Sequence, residues 1–388
     1  MTILAVLFWL ALTALLYVSF GYPLLLSLLA GLVRPADRPR EAATWPAVTL
    51  AIAAYNEETA IRDKLENSLR LDYPGEKLEI VVFSDASTDE TEEIVRTYAN
   101  RGIRLLRIEG RRGKTFCQNE TVKICTGEIV VFSDANSMYE PTALKALIRH
   151  FTDRRVGCVS GELRYRDGAG GVKGERAYWH YELMLKRLES LTSSPVGANG
   201  AIYAIRKDLY QPLRPDVISD FAAPLLIVRR GYRVVHEREA IAWEDTAPSP
   251  EAERKRRVRI VARTVHSFLR QPGMISLLNP FRHGFFAVQI WSHRVLRWWS
   301  GMFMLLLLAL NIILCKEGFL YRALLGAQAV FYALALWGFL AGLRRARQVP
   351  KLPHLAYYFC LSCWAMLLGF ARGVLGAAPA AWVPSRRE

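Results

Sequence analysis

An α/β domain with a largely parallel, doubly wound sheet, carried among membrane-spanning helices, is the fold this sequence predicts. Three observations lead there. Between residues 48 and 238, short β-branched and apolar runs alternate with segments of helical period, the βαβα succession of a parallel sheet. Two of those runs, residues 80–85 and 130–134, end in the same Val-Val-Phe-Ser-Asp, so Asp85 and Asp134 lie at strand ends, where open α/β sheets bind ligands. Finally, 52% of the 388 residues are hydrophobic and the mean hydropathy is +0.12, high for a purely soluble chain.

In chain order, residues 3–33 carry no charge before Arg34 and are long enough to cross a bilayer with tilt. No basic n-region precedes them, and the run is too long for a signal-peptide core. Arg34, Arg38 and Arg40 follow, which the positive-inside rule assigns to the cytosol. Residues 34–47, with Pro35, Pro39 and Pro46, read as a linker. Strands are expected at 48–54, 80–83, 103–108 and 128–132, with helices at 60–71, 90–99 and 114–123 between them. No G-x-G-x-x-G follows the first strand, which weakens a dinucleotide-binding reading. Further on, a strand is expected at 156–163 and an amphipathic helix at 174–191. A tight loop Gly197-Ala198-Asn199-Gly200, a strand at 201–205, an N-cap at Ser219-Asp220 and a strand at 233–236 complete the domain.

Basic and aromatic residues mix at 254–259 and 281–299, the composition of helices lying in the headgroup region. Apolar segments follow at 301–314, 319–343 and 355–375, and Arg344, Arg345, Arg347 and Lys351 place the last connection on the cytosolic side. The expected organisation is an N-terminal transmembrane helix (1–33), a linker (34–47), a cytosolic catalytic domain (48–266), interfacial helices (267–299), transmembrane helices (300–376) and a tail (377–388). The net charge of +15 could serve nucleic acid, anionic lipid or an anionic substrate, but the basic residues flank apolar segments. With no recognition-helix or zinc-finger pattern, membrane lipid is the expected partner and nucleic acid is not. The six cysteines form no disulfide framework, and the Cys360-x-x-Cys363 pair lies inside an apolar segment without a second ligand pair, so reduced thiols are expected.

The succession Ala54-Tyr55-Asn56-Glu57-Glu58, Ser84-Asp85-Ala86-Ser87-Thr88-Asp89, Lys114, Asp134-Ala135-Asn136 and Ser219-Asp220 resembles membrane-bound family 2 glycosyltransferases with a GT-A fold. Cellulose, hyaluronan and chitin-oligosaccharide synthases and exopolysaccharide transferases belong to that group. The likeness covers residues 48–266. It implies an inverting transfer of a sugar from a nucleotide-sugar donor, usually UDP-linked, at the cytosolic face of a plasma (bacterial inner) membrane, assisted by Mg2+ or Mn2+. On the same basis Asp134 and Asn136 would hold the metal at the D-x-D position, with a neutral carbonyl from Asn136 in place of a second acid. Asp85 would hold the nucleoside, with Ala54, Tyr55 and Glu57 lining its pocket, and Lys114 would meet phosphate at a helix N-terminus. Asp220 would be the general base. The Q-x-x-R-W motif of processive members is degraded: Arg259 keeps its arginine and is expected at the diphosphate, but Arg256 and Ile260 replace Gln and Trp. Asn199, Gly200 and Trp179 are expected on the acceptor side, Trp243 and His266 being alternative aromatic platforms, and Arg254 to Arg257 are expected to face the membrane.

The acceptor remains open between a lipid-linked molecule, a growing polysaccharide and a ceramide-type lipid. A non-catalytic scaffold with a degenerate transferase fold and a nucleotidyltransferase are the readings from other classes. Intact Asp85, Asp134 and Asp220 speak against the scaffold.

Overall fold

The structure, a computed structural model, describes residues 2–33, 44–166, 173–245, 250–343 and 350–376. Arg34, Arg38, Arg40, Arg344, Arg345, Arg347 and the expected tail lie outside the described residues. Helix α1 (Ile3–Leu16) and helix α2 (Tyr22–Leu32) are joined by a π turn at Tyr17–Gly21 into one apolar helix of 30 residues. At 1.5 Å per residue it is about 45 Å long, more than the hydrocarbon core of a bilayer.

The α/β domain follows. Its elements are β1 (Val48–Ala54), α3 (Glu58–Leu69), β2 (Leu78–Ser84), α4 (Thr91–Arg96), β3 (Ile103–Arg107), α5 (Lys114–Ile124) and β4 (Ile129–Asp134). Then come β5 (Met138–Tyr139), α6 (Ala143–Ile148), β6 (Val156–Arg166), α7 (Lys173–Thr192), β7 (Ile202–Arg206), α8 (Ser219–Arg229) and β8 (Arg233–Asp245). They build an eight-stranded sheet in the order β3-β2-β1-β4-β7-β6-β8-β5. The parallel sheet expected from the sequence holds for β3, β2, β1 and β4. Beyond β4 the sheet is mixed: β7 runs antiparallel to β4 and β6, while β6 and β8 are parallel. Strand direction depends on how the chain returns after each helix, which hydrophobic periodicity does not encode.

Buried side chains alternate between the two faces, as the pleat requires. Leu50, Ile52, Val82 and Val131 pack with α3 and α6 on one face, and Ala51, Ala53, Phe83 and Phe132 pack with α5 and α8 on the other. Each fully buried large apolar side chain contributes about 1.5–3 kcal/mol. Where α5 hands over to β4, a Cβ on Gly127 would stand 2.4 Å from the backbone nitrogen of Thr49 and 2.7 Å from the carbonyl carbon of Val48. Those are backbone atoms of a central strand and cannot retreat. Gly127→Ala is therefore expected to destabilise the domain by about 2–3 kcal/mol, measured as a lowered unfolding midpoint of the full chain in detergent.

Strand β8 is longer than expected because its acids are neutralised by neighbours. Glu237 accepts from Arg149 Nη2 at 2.7 Å and pairs with His150 at 2.5 Å. Across the sheet, Glu162 accepts from Arg187 at 2.7 Å and Arg164 at 3.0 Å. Burial pushes both carboxyls up, but His236 beside Glu162 and these hydrogen bonds outweigh it and hold each at about 2. A depressed carboxylate stabilises the fold fully above its unfolded value and loses that contribution as pH falls. Stability is thus expected to fall between about pH 4.5 and 2, and denaturant midpoints at pH 6, 4 and 3 measure it.

The C-terminal part comprises α9 (Pro250–Arg270), α10 (Pro280–His283), α11 (Phe285–Ile290), a π turn at Trp291–Val295, α12 (Leu296–Trp298), α13 (Ser300–Leu314), α14 (Phe319–Leu343) and α15 (Lys351–Val374). Among the described residues, three helices are long and apolar enough to cross a membrane: Ile3–Leu32, Phe319–Gly342 and Lys351–Val374. A fourth span arises only if the bent pair Phe285–Trp298 and Ser300–Leu314, kinked by 57°, counts as one. Helices α9 and α15 lie close, since a Cβ on Gly369 or Gly373 would already meet Val261 or Ala262 at 2.6 and 2.5 Å. The basic residues expected to face headgroups at 281–299 divide. Phe281, Trp291 and Trp299 point outward, whereas His293 and Arg297 are buried against acids of α7.

Candidate active site

The register of β1 assembles the site. Ala53 lies opposite Asp134 of β4 and Ala54 opposite Ser84 of β2, so Asp85 and Asp134 flank the carboxyl end of β1. Strand order reverses here, β1 having β2 on one side and β4 on the other, which opens a crevice beyond the strand ends. Among the described residues, Asn56, Ala86 and Arg111 are the non-glycine residues with positive φ, and all three sit in loops around this crevice. Such strain persists only where neighbours impose it. Here Asn56 Oδ1 accepts from the Thr88 amide at 2.8 Å, and the Glu57 amide donates to Thr91 Oγ1 at 2.8 Å, binding the first two loops together.

Asp85 braces the third loop. It is 3% exposed and accepts from the amides of Arg112 and Gly113 at 2.7 and 3.0 Å. The Arg111 guanidinium lies 4.2 Å from the ring of Tyr55, itself buried beside Ala54. This bracing fixes the start of α5, whose first residue, Lys114, forms an ion pair with Asp134.

Asp134 opens into a cavity of about 330 Å³ between the sheet edge and helices α9 and α15. Asp220, Glu244, Lys186, Asn199, Gly200 and Trp179 also line it, so the expected base and the expected acceptor-side residues share one chamber with Asp134. Asp220 is not the N-cap expected from the sequence. Ile218 holds that position without a side-chain hydrogen bond, and Asp220 is the second residue of α8, free to turn its carboxylate into the cavity. A Cβ on Gly200 would stand 2.7 Å from Asp220 Oδ2, so only glycine permits this approach. Burial raises the Asp220 carboxyl, Asp134 adds to the rise, and Lys114, Lys186 and Arg263 oppose it. Glu244 is raised for the same two reasons, burial and Asp134, while the Ser137 hydroxyl donates to it.

Other expected residues lie elsewhere. Arg259 is exposed and does not line the cavity; Arg256, Arg257, Ile260, Val261 and Thr264 do. The face of α9 that meets the chamber is offset from the one the motif suggested, and Arg256 and Arg257 face the chamber rather than the membrane. Asn136 is half-buried and outside the lining, with Glu244 there instead. Of the three aromatic candidates only Trp179 reaches the cavity, since Trp243 donates to Glu140 at 2.6 Å and His266 pairs with Asp216 at 3.0 Å. Sequence reasoning missed Glu182, Lys186, His293, Arg294 and Arg297. The signal present was the spacing of Glu182, Lys186 and Glu189, one polar stripe on an amphipathic helix.

The donor set suits a hard divalent cation. Among the described residues no three His, Cys, Asp or Glu side chains cluster as a closed metal site. Asp134 at a cavity crowded with carboxyls fits the habit of Mg2+ and Mn2+ ions held by one or two carboxylates and completed by substrate phosphate and water.

Comparison with known proteins agrees with this arrangement. Residues 49–213 match the profile of Glycosyl transferase family 2. The poly-beta-1,6-N-acetyl-D-glucosamine synthases of Staphylococcus aureus and Staphylococcus epidermidis are 28% and 27% identical over 205 residues, covering 50% of this chain and 49% of theirs. The chain thus spans about half the length of the curated relatives it matches. A mannosyltransferase from Pyrobaculum calidifontis, solved in complex with GDP-Man and Mn2+, shares the fold at 24% identity with a TM-score of 0.71, covering 95% of this chain and 99% of its own. Residues 49–213 are thus a Glycosyl transferase family 2 domain, built on a GT-A-like sheet.

Proposed function

We propose that the protein is an integral-membrane, inverting glycosyltransferase. It moves a sugar from a nucleotide-sugar donor, UDP-linked in the simplest case, to a hydroxyl of a lipid-linked or polysaccharide acceptor at the cytosolic membrane face. The observation that carries the reading is that Asp134 and Asp220 face one cavity whose far wall is the apolar helix α15. A donor with its diphosphate at Lys114 and Asp134 would present its anomeric carbon toward Asp220.

Asp220 accepts the acceptor hydroxyl proton as that oxygen bonds to the anomeric carbon. The bond from the anomeric carbon to the diphosphate oxygen breaks, and its electron pair leaves with the nucleoside diphosphate. Because attack and departure occur on opposite faces, the configuration inverts. The raised Asp220 carboxyl makes its carboxylate a stronger base than an ordinary aspartate. Mg2+ or Mn2+ at Asp134 would supply Lewis-acid charge for the departing diphosphate. Asp85 keeps the phosphate-facing loop in place, and Tyr55 and Glu57 stand beside the nucleoside.

Processive polysaccharide synthesis is the second reading, favoured by the names of the staphylococcal relatives. Ile260, where the processive motif has an aromatic platform, favours a single transfer. The test is to incubate the detergent-purified chain with a panel of nucleotide sugars and Mg2+ or Mn2+ and to measure released nucleoside diphosphate. Turnover of one donor is expected; silence with every donor, alongside retained lipid binding, would contradict an enzyme.

A further inference from the structure

The cavity is also lined by two cations, Lys186 and Arg294, that form no ion pair among the described residues, Glu182, Asp220 and Glu189 acting on Lys186 only at longer range. Lys186 is 8% exposed, and its hydrogen bond is a long one, 3.4 Å, to the Ala198 carbonyl. Arg294 donates through Nη2 to the Val196 carbonyl at 2.8 Å and lies over the Phe221 ring, and its buried Nε meets no acceptor. Neither has a carboxylate within 4.0 Å among the described residues. The nearby acids are committed elsewhere. Glu182 pairs with Arg297 at 2.5 Å and His293 at 3.3 Å, and Glu189 takes His293 and the Tyr22 hydroxyl, each at 2.7 Å.

Two adjacent like charges in a low-dielectric wall are costly unless an anion joins them. Burial lowers the Lys186 ammonium, and Arg294 is the next contributor, as this crowding requires. The donor diphosphate does not meet this pair in the proposed arrangement, since Lys114 and Asp134 serve it. Asp220 feels both Lys114 and Lys186, each of which opposes the rise that burial imposes on its carboxyl. Ile260, Val261, Trp298, Ala365 and Met366 also line the chamber, an apolar surface that runs onto the membrane-type helix α15.

We propose that Lys186 and Arg294 form a phosphate subsite for the acceptor, so that the acceptor carries a phosphate ester beside its reacting hydroxyl and an apolar chain along α9 and α15. The inference rests on the transferase reading and chooses between its two acceptor types, in favour of a phosphate-linked lipid over a neutral glucan-like chain. Phosphate held at this pair would bring the hydroxyl under Asp220 and offset the charge that the pair adds to the chamber.

Equilibrium binding to the full chain in nanodiscs tests this without requiring turnover. The probes are a polyprenyl-diphosphate-linked monosaccharide, the same sugar as a neutral alkyl glycoside, and the soluble sugar 1-phosphate. The lipid-linked phosphate is expected to bind at least about tenfold more tightly than either of the others. Lys186→Gln and Arg294→Gln should each erase most of the advantage over the alkyl glycoside, Lys186→Arg should restore it, and donor affinity should not change. Equal binding of the charged and neutral lipids by the unmodified protein would overturn the subsite. Equal binding of the soluble and lipid-linked phosphates would overturn the lipid assignment. Weakened donor binding in the Gln variants would assign the pair to the donor diphosphate and overturn the proposal. Phosphate-selective lipid binding without turnover of any donor would instead refute the transferase reading and leave the subsite standing.

Discussion

Asp220→Asn is expected to reduce transfer by roughly a thousandfold while leaving nucleotide binding unchanged, the size of effect that loss of a positioned general base produces. The substitution keeps the shape and the close approach to Gly200, so helix α8 is not disturbed. It removes a carboxylate that lines the chamber with Asp134 and that burial raises. Single-turnover rates paired with nucleotide titrations separate chemistry from binding. A variant that transfers at the original rate would remove Asp220 from the reaction.

Asp134→Asn is expected to act differently, through binding as well as chemistry. The carboxylate is the ion-pair partner of Lys114 and the strand-end oxygen ligand best placed for a divalent cation. Its loss leaves Lys114 beside a neutral amide and removes the electrostatic support for the leaving group, a deficit of about two to three orders of magnitude in kcat/KM. Paramagnetic titration with Mn2+ in the presence of nucleoside diphosphate provides a readout independent of turnover. Mn2+ bound as tightly by the variant as by the parent would move the metal away from Asp134.

The sequence made the first half of the domain legible because chemistry and periodicity coincide there. β1 begins and ends where its apolar run does, and the two Val-Val-Phe-Ser-Asp segments end as strands at Ser84 and Asp134. The second half was harder to read. β8 carries Glu237, Glu239 and Glu244, and a strand so rich in acids resembles a loop until Arg149, His150 and the Ser137 hydroxyl are brought to it by the fold. The direction of β7 was likewise set by the return path after α7.

Within the site, the residues attached to strand ends and to α8 were found. On the helical side Trp179 was found, whereas Arg256, Arg257, Lys186 and Arg294 were not, because α9 is basic on several faces and its motif points to Arg259. Only the packing of α9 against α15 decides that Arg256 and Arg257 look inward. Lys186 and Arg294, 108 positions apart, become a pair solely through tertiary structure, which no local pattern foretells. Asn136 illustrates the opposite case: it stands at the motif position, yet Glu244, from a strand at the far side of the sheet, lines the chamber and Asn136 does not.

The central claim is that Asp220 directs attack on the face of the sugar opposite a diphosphate held at Lys114 and Asp134. The anomeric configuration of the first product, determined by NMR coupling constants from an isotopically labelled donor, tests it most directly. Inversion relative to the donor is predicted. Retention would require either attack from the face of the leaving group or a second inversion through a covalent intermediate, and would contradict the role given to Asp220.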